Sequence, residues 1–235
     1  MPATPENQVI QLEPSGGYSI LRGDLIRGGL KKLPLLKYLP EQNHKHFAYA
    51  GTVFGSGGWA LATACEELEY KCTLFIAKSK HTPDWINDLN PHSCELVWCN
   101  PTPVEQIKAD IEQSHPDLHM LPLGFDDPSF INHTAQTLKE LIPDPPNQIW
   151  LSALSGVLAR SACLAFSETD IIAVSPVKHV GDCGRAKIIP APEKFHHPAI
   201  TLPPYPSCPY SCAKIWQFAH LQASQNAYII NVGYK

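Results

Sequence analysis

The chain has 235 residues, 44% hydrophobic and 17% charged, with a formal net charge of −4 at pH 7. That balance fits a folded chain with ample core and not a disordered one, and the lack of a basic run argues against nucleic acid as a partner. No apolar run is long enough to span a bilayer, and the polar start MPATPENQVIQLEPSGG lacks a signal peptide's basic and apolar regions, so a cytoplasmic location is expected.

Residues 1–17 read as an arm. YSILRGDLIRGGLKKLPLLKYLP follows, a short strand entering a polar turn and then a helix that Pro34 could kink. Lys31 and Lys32 stand directly after Gly28-Gly29 and the intervening Leu30, where a lysine can point into a cleft or simply into solvent. The stretch from His46 to Lys78 organises the rest. HFAYAG is a buried strand, and GTVFGSGG places four glycines in eight residues. Leu61, Ala64, Cys65 and Leu68 then share one helix face, and CTLFIAK is the next strand. A glycine turn feeding a helix start presents free N–H groups and a positive dipole end, which suits an anion. The plainer alternative is a tight turn with no ligand.

ELVWC (95–99) reads as a strand, and TPVEQIKADIEQS as a helix with Thr102 as its cap. LHMLPLGFD runs from strand into turn, and Asp127 or Ser129 caps the following helix. PDPP (143–146) is a strong break. Beyond it NQIWLSA is a strand, LSGVLARSACLAF a second glycine turn entering a helix, and DIIAVSPV a strand. KIIPAP reads as an edge strand because proline interrupts it. A long proline-rich loop, the helix CAKIWQFAHLQAS and the strand AYIINVG complete the order. Alternating strands and helices predict an α/β fold with mostly parallel sheet and ligands at the carboxyl ends of strands. The break at 143–146 divides it into a larger lobe, 1–44 with 146–235, and a smaller inserted lobe, 45–145.

Eight cysteines contain no CxxC, and zinc-site spacing is absent, although Cys208, Cys212 and the pair His196-His197 are near one another in sequence. No metal site is expected.

In order, these segments resemble fold-type II pyridoxal-phosphate enzymes, the tryptophan synthase β-like superfamily, and within it the deaminase and desulfhydrase branch. RGDLIRGGLKKLPLLKYL has the layout that carries that family's cofactor lysine, with Lys31 in the lysine's place. YAGTVFGSGGWALATACEELEYKCTLFIAK runs parallel to the family's substrate loop and helix, its Ser-Asn pair falling on Gly55-Ser56. IWLSALSGVLAR occupies the place of the phosphate loop, and IINVG that of the turn near the pyridine nitrogen. Leu30 stands where the family has asparagine before the lysine, and the Ser-Asn pair has lost its asparagine.

The resemblance implies pyridoxal 5'-phosphate as cofactor and elimination or deamination of a small amino acid. Lys31 would form a Schiff base, its amine kept neutral by burial or by the charge of Lys32. Ser152, Ser155 and Gly156 would hold the phosphate, and Asn231 would face the pyridine nitrogen. Gly55, Ser56, Gly57 and Gly58 would hold the substrate carboxylate. A homodimer is compatible with this reading. A degenerate member that only binds a phosphate-bearing ligand is one alternative. A short-chain NAD(P)-dependent dehydrogenase is another, since AGTVFGSGG and Tyr210-Ser-Cys-Ala-Lys214 fit its glycine turn and YxxxK pair.

Overall fold

The computed structural model describes residues 10–12, 17–80 and 82–234. Its strands form two separate sheets. The larger has six, β1 (Ile10–Leu12), β2 (Tyr18–Arg22), β7 (Gln148–Ser152), β8 (Asp170–Ser175), β9 (Lys187–Pro190) and β10 (Ala227–Asn231), in the order β1-β2-β10-β7-β8-β9. All of its neighbours are parallel except β1 with β2. The smaller has β3 (His46–Thr52), β4 (Lys71–Ala77), β5 (Cys94–Cys99) and β6 (His119–Leu121), all parallel, in the order β5-β4-β3-β6. Parallel strands sit between covering helices, and β3 and β4 accordingly bury five consecutive residues each.

Six α-helices connect the strands: α1 (Lys32–Tyr38), α2 (Gly57–Glu67), α3 (Val104–Ser114), α4 (Pro128–Leu141), α5 (Val157–Ala165) and α6 (Ala213–Gln222). Helix α2 is buried from Gly57 through Cys65, so the single apolar face expected for it is only part of a helix buried all round. Helices α1 and α4 join the two cores. In α4, Phe130 packs in the smaller core, while Ala135, Leu138 and Leu141 pack in the larger. In α1, Leu35 and Tyr38 belong to the smaller core, with Leu30 just before them in the larger.

Three local expectations need correction. Ile10–Leu12, inside the stretch read as an arm, pairs with β2; residues 1–9 and 13–16 lie outside the described residues. Pro34 does not kink α1, because it falls in the first turn, where no intrahelical N–H bond is lost. Thr102 is not the cap of α3. That position is Pro103, and the Thr102 hydroxyl turns back to the Asn100 carbonyl at 3.3 Å. Asp127 does cap α4, accepting from the N–H groups of Ser129 and Phe130. The interrupted strand β9 lies at the sheet edge, as its proline predicts. Among the described residues, no helix is long and apolar enough to cross a membrane.

Candidate active site

Between the two sheets lies a cavity of about 610 Å³, lined by Lys31, Gly55–Gly57 and Ser152–Gly156 among others. Both glycine turns and the lysine thus meet in one place, at the carboxyl ends of β3 and β7.

Lys31 is delivered by the double glycine. Gly28 and Gly29 have φ of 92° and 73°, open to glycine and unfavourable to other residues. A Cβ on Gly28 would lie 1.9 Å from the Thr63 hydroxyl of α2, and one on Gly29 2.7 Å from the Val232 carbonyl. That tight fit lets the Leu30 N–H donate to the Val232 carbonyl at 2.6 Å, and Lys31 follows as the residue before α1. Its Nζ lies 5.9 Å from the centre of the Phe125 ring. Burial pushes the Lys31 pKa down; the neighbouring Cys212 thiol opposes this. Lys32 does not serve as the charge that lowers it: its ammonium pairs with Glu67 at 2.5 Å.

Neither helix start is capped by a side chain. At α5, Gly156 adopts φ of 80°, no side chain caps the helix, and the first helical bond runs from the Arg160 N–H to the Gly156 carbonyl. The N–H groups of Val157, Leu158 and Ala159 therefore precede the helical ladder. The loop from 154 to 156 is clamped by the next one: Gly181 N–H donates to the Leu154 carbonyl at 2.9 Å. At α2, Ser56 stands at the cap position without capping, and the ladder begins with Ala60 N–H to the Ser56 carbonyl. The Ser152 hydroxyl, on the cavity wall, is buried and has no hydrogen-bond partner.

Two expected residues are not on the wall. Asn231 is 1% exposed and its amide is fully engaged inside the protein. Its Nδ2 donates to Asp24 at 2.7 Å and to the Pro206 carbonyl at 2.8 Å, and its Oδ1 accepts from Ser207 at 2.9 Å. The pyridine-facing role is thereby corrected: no donor of that amide is left over. Gly58 sits behind the wall, facing Leu74, Ile76 and Trp85.

Two wall residues carry no motif in the sequence. Tyr49, from β3, accepts the Gly124 N–H at 3.4 Å, and burial pushes its phenol up to about 12, so it keeps its proton at neutral pH. Only its position two residues before a glycine turn could have pointed to it. Cys212 lines the cavity beside Lys31, with its thiol raised to about 11 by burial first and then by Cys208. Its place at the start of the helix CAKIWQFAHLQAS does not mark it as a cavity residue. Among the described residues, no group of three histidines, cysteines or acids is arranged to hold a metal.

Tyr210 and Lys214 do not form a dehydrogenase pair. Lys214 Nζ is buried and donates to the backbone carbonyls of Glu193 and Lys194 at 3.1 and 2.8 Å, while the Tyr210 ring packs on Phe54.

No protein-family profile and no curated protein sequence matches the chain. Solved structures do. An ACC deaminase homologue superposes with a TM-score of 0.70 at 12% identity, over 92% of this chain and 84% of the other. Threonine deaminase isoform 2 from Solanum lycopersicum gives 0.69 at 15%, over 99% and 86%. Serine racemase from Dictyostelium discoideum gives 0.64 at 13%, over 92% and 86%. With two mostly parallel sheets, flanking helices and a cleft between them, the chain has the tryptophan synthase β-like fold of the fold-type II pyridoxal-phosphate enzymes.

Proposed function

We propose that the chain is a pyridoxal 5'-phosphate enzyme that acts on an amino acid by elimination or deamination, with Lys31 as the residue that takes the cofactor. The observation that carries this reading is one partly buried lysine, with no carboxylate partner among the described residues, in a cavity walled by two uncapped helix starts. The unpartnered Ser152 hydroxyl fits it: a buried polar atom wants an acceptor or donor, and a phosphate oxygen supplies one.

Pyridoxal phosphate, when bound, supplies an aldehyde that joins an amine and a ring that draws electrons from the bond being broken. For the first, Lys31 must offer a neutral amine, and its burial favours that form. The same Nζ can then accept or return a proton. The start of α5, with the hydroxyls of Ser152 and Ser155 and the backbone of Gly156, suits a dianionic phosphate. The start of α2, Gly55 to Gly57, offers backbone donors to a substrate carboxylate, with Gly58 packed behind as its support. Tyr49 accepts from Gly124 and keeps its own proton for the cavity. Asn231 acts at one remove: by holding Asp24 it fixes the turn that carries Lys31. A division into lobes at 44/45 and 145/146 belongs to the same proposal and is supported by the two separate sheets.

The test is chemical. After incubation with pyridoxal phosphate and borohydride reduction, peptide mapping should find the pyridoxyl group on Lys31, and Lys31→Ala should take none. Label on a different lysine, or on none, overturns the reading.

A further inference from the structure

A second chamber, of about 270 Å³, lies beside the main cavity. The two share Phe54, Gly55, Ser56, Ser211, Cys212 and Val232, so the start of α2 is a wall of both. Four of its other wall residues are aromatic: Trp59, Trp85, Tyr210 and Tyr234. Trp59 and Trp85 are 3% and 4% exposed, and Trp59 is held in place by its indole N–H, donated to Asp88 at 3.0 Å. Phe54 stands at the junction, with Tyr210 at 4.7 Å and Phe195 at 5.8 Å between ring centres. Among the described wall residues, Asp84 is the one charged side chain, and it is exposed.

We propose that this chamber receives the side chain of the substrate, and that the substrate is an aromatic amino acid. The inference rests on the reading that Gly55 to Gly57 take the substrate carboxylate. A carboxylate at the start of α2 puts the α-carbon at the junction of the two chambers. The main cavity holds Lys31 and the α5 start and is given to the cofactor, which leaves the second chamber for the side chain. A methyl or hydroxymethyl group would leave most of that space without contacts, whereas a ring occupies much more of it and meets the parts of Trp59 and Trp85 that line it. Asp84 disfavours an acidic side chain. The small substrate expected from the sequence is then too small for its site.

Carboxylates without an amine test this without turnover. Protein loaded with pyridoxal phosphate is titrated calorimetrically with 3-phenylpropionate and with propionate. The aromatic acid should bind about tenfold to a hundredfold more tightly, as expected for burying a ring. Thr82→Phe, at an exposed position on the wall of the second chamber only, should fill it and erase the preference while sparing propionate binding and the borohydride label on Lys31. Equal affinities in the wild-type protein overturn the inference, as does no binding of 3-phenylpropionate or a preference that survives Thr82→Phe. If Lys31 takes no label, the cofactor reading has failed on its own. The same titration of unloaded protein then decides: tight 3-phenylpropionate binding lost in Thr82→Phe upholds the aromatic chamber, and its absence removes it.

Discussion

Replacing Gly156 by alanine adds one methyl group at the point where two loops and a helix meet. The new Cβ would lie 1.8 Å from the Asp182 carbonyl oxygen, where ordinary contact needs at least 3.4 Å. Either the loop at 181–182 retreats or Gly156 abandons its φ of 80°. Holding alanine in that left-handed conformation costs about 1–2 kcal/mol. Retreat of the loop breaks the bond from Gly181 N–H to the Leu154 carbonyl, worth about 1 kcal/mol. Together these come to about 2–3 kcal/mol, within the stability of a typical domain, so the variant still folds. For a chain of this size the melting temperature should fall by roughly 4–12 °C. The donors at the start of α5 also lose their alignment, and a helix-end interaction with an anion is worth up to about 2 kcal/mol, or roughly thirtyfold in affinity. Thermal melting and a pyridoxal-phosphate titration read the two effects separately. A Gly156→Ala protein that melts within about 2 °C of wild type and keeps its affinity would refute the reasoning.

The pH dependence of stability tests the environment of Lys31. Its folded pKa lies below the ordinary 10.5, so between the two values the unfolded chain binds more protons. The burial penalty is therefore complete below the folded pKa and disappears as pH rises from there to 10.5. Lys31→Met should be more stable than wild type at pH 7, with the gap closing at alkaline pH in urea denaturation; a gap independent of pH contradicts a lowered pKa. At the other helix start, a Cβ on Gly57 would lie 2.5 Å from the Tyr49 hydroxyl. Gly57→Ala should cost about 1–3 kcal/mol, the range for overpacking, and Tyr49→Phe in the same chain should restore part of it. Strictly additive losses would show that the two groups do not press on one another.

Much of the site is legible in the sequence because it is built from local patterns. A buried strand, a glycine turn and a helix announce themselves through periodicity, and such turns stand at 51–58 and 152–156, each contributing residues to the cavity wall. Lys31 is legible through the double glycine before it. What is hidden is set by distance along the chain. Asn231 reads as an available amide at a strand end, yet its partners Asp24, Pro206 and Ser207 stand 207, 25 and 24 positions away. Lys32 offers a charge beside Lys31 until Glu67, on another helix, takes it up. Tyr49 and Cys212 are ordinary core residues by type, and only the meeting of two sheets turns them toward the same space. Capping fails at Thr102 for a nearer reason, since a proline one residue later starts the helix instead.

The position of β10 has a consequence for when the turn that carries Lys31 is anchored. The strand lies between β2 and β7. Without it the larger sheet falls apart into a hairpin and a three-stranded remnant that share no edge. The four strands of the smaller sheet come from one continuous stretch, 46–121. Lys31 belongs to the other regime: the turn that carries it is tied to Val232 and, through Asp24, to Asn231. During synthesis Lys31 leaves the ribosome early, and its turn gains these two ties only after some two hundred more residues have followed. The anchoring of the Lys31 turn thus waits for β10, and a chain stalled before that strand carries the lysine on a turn without these two ties.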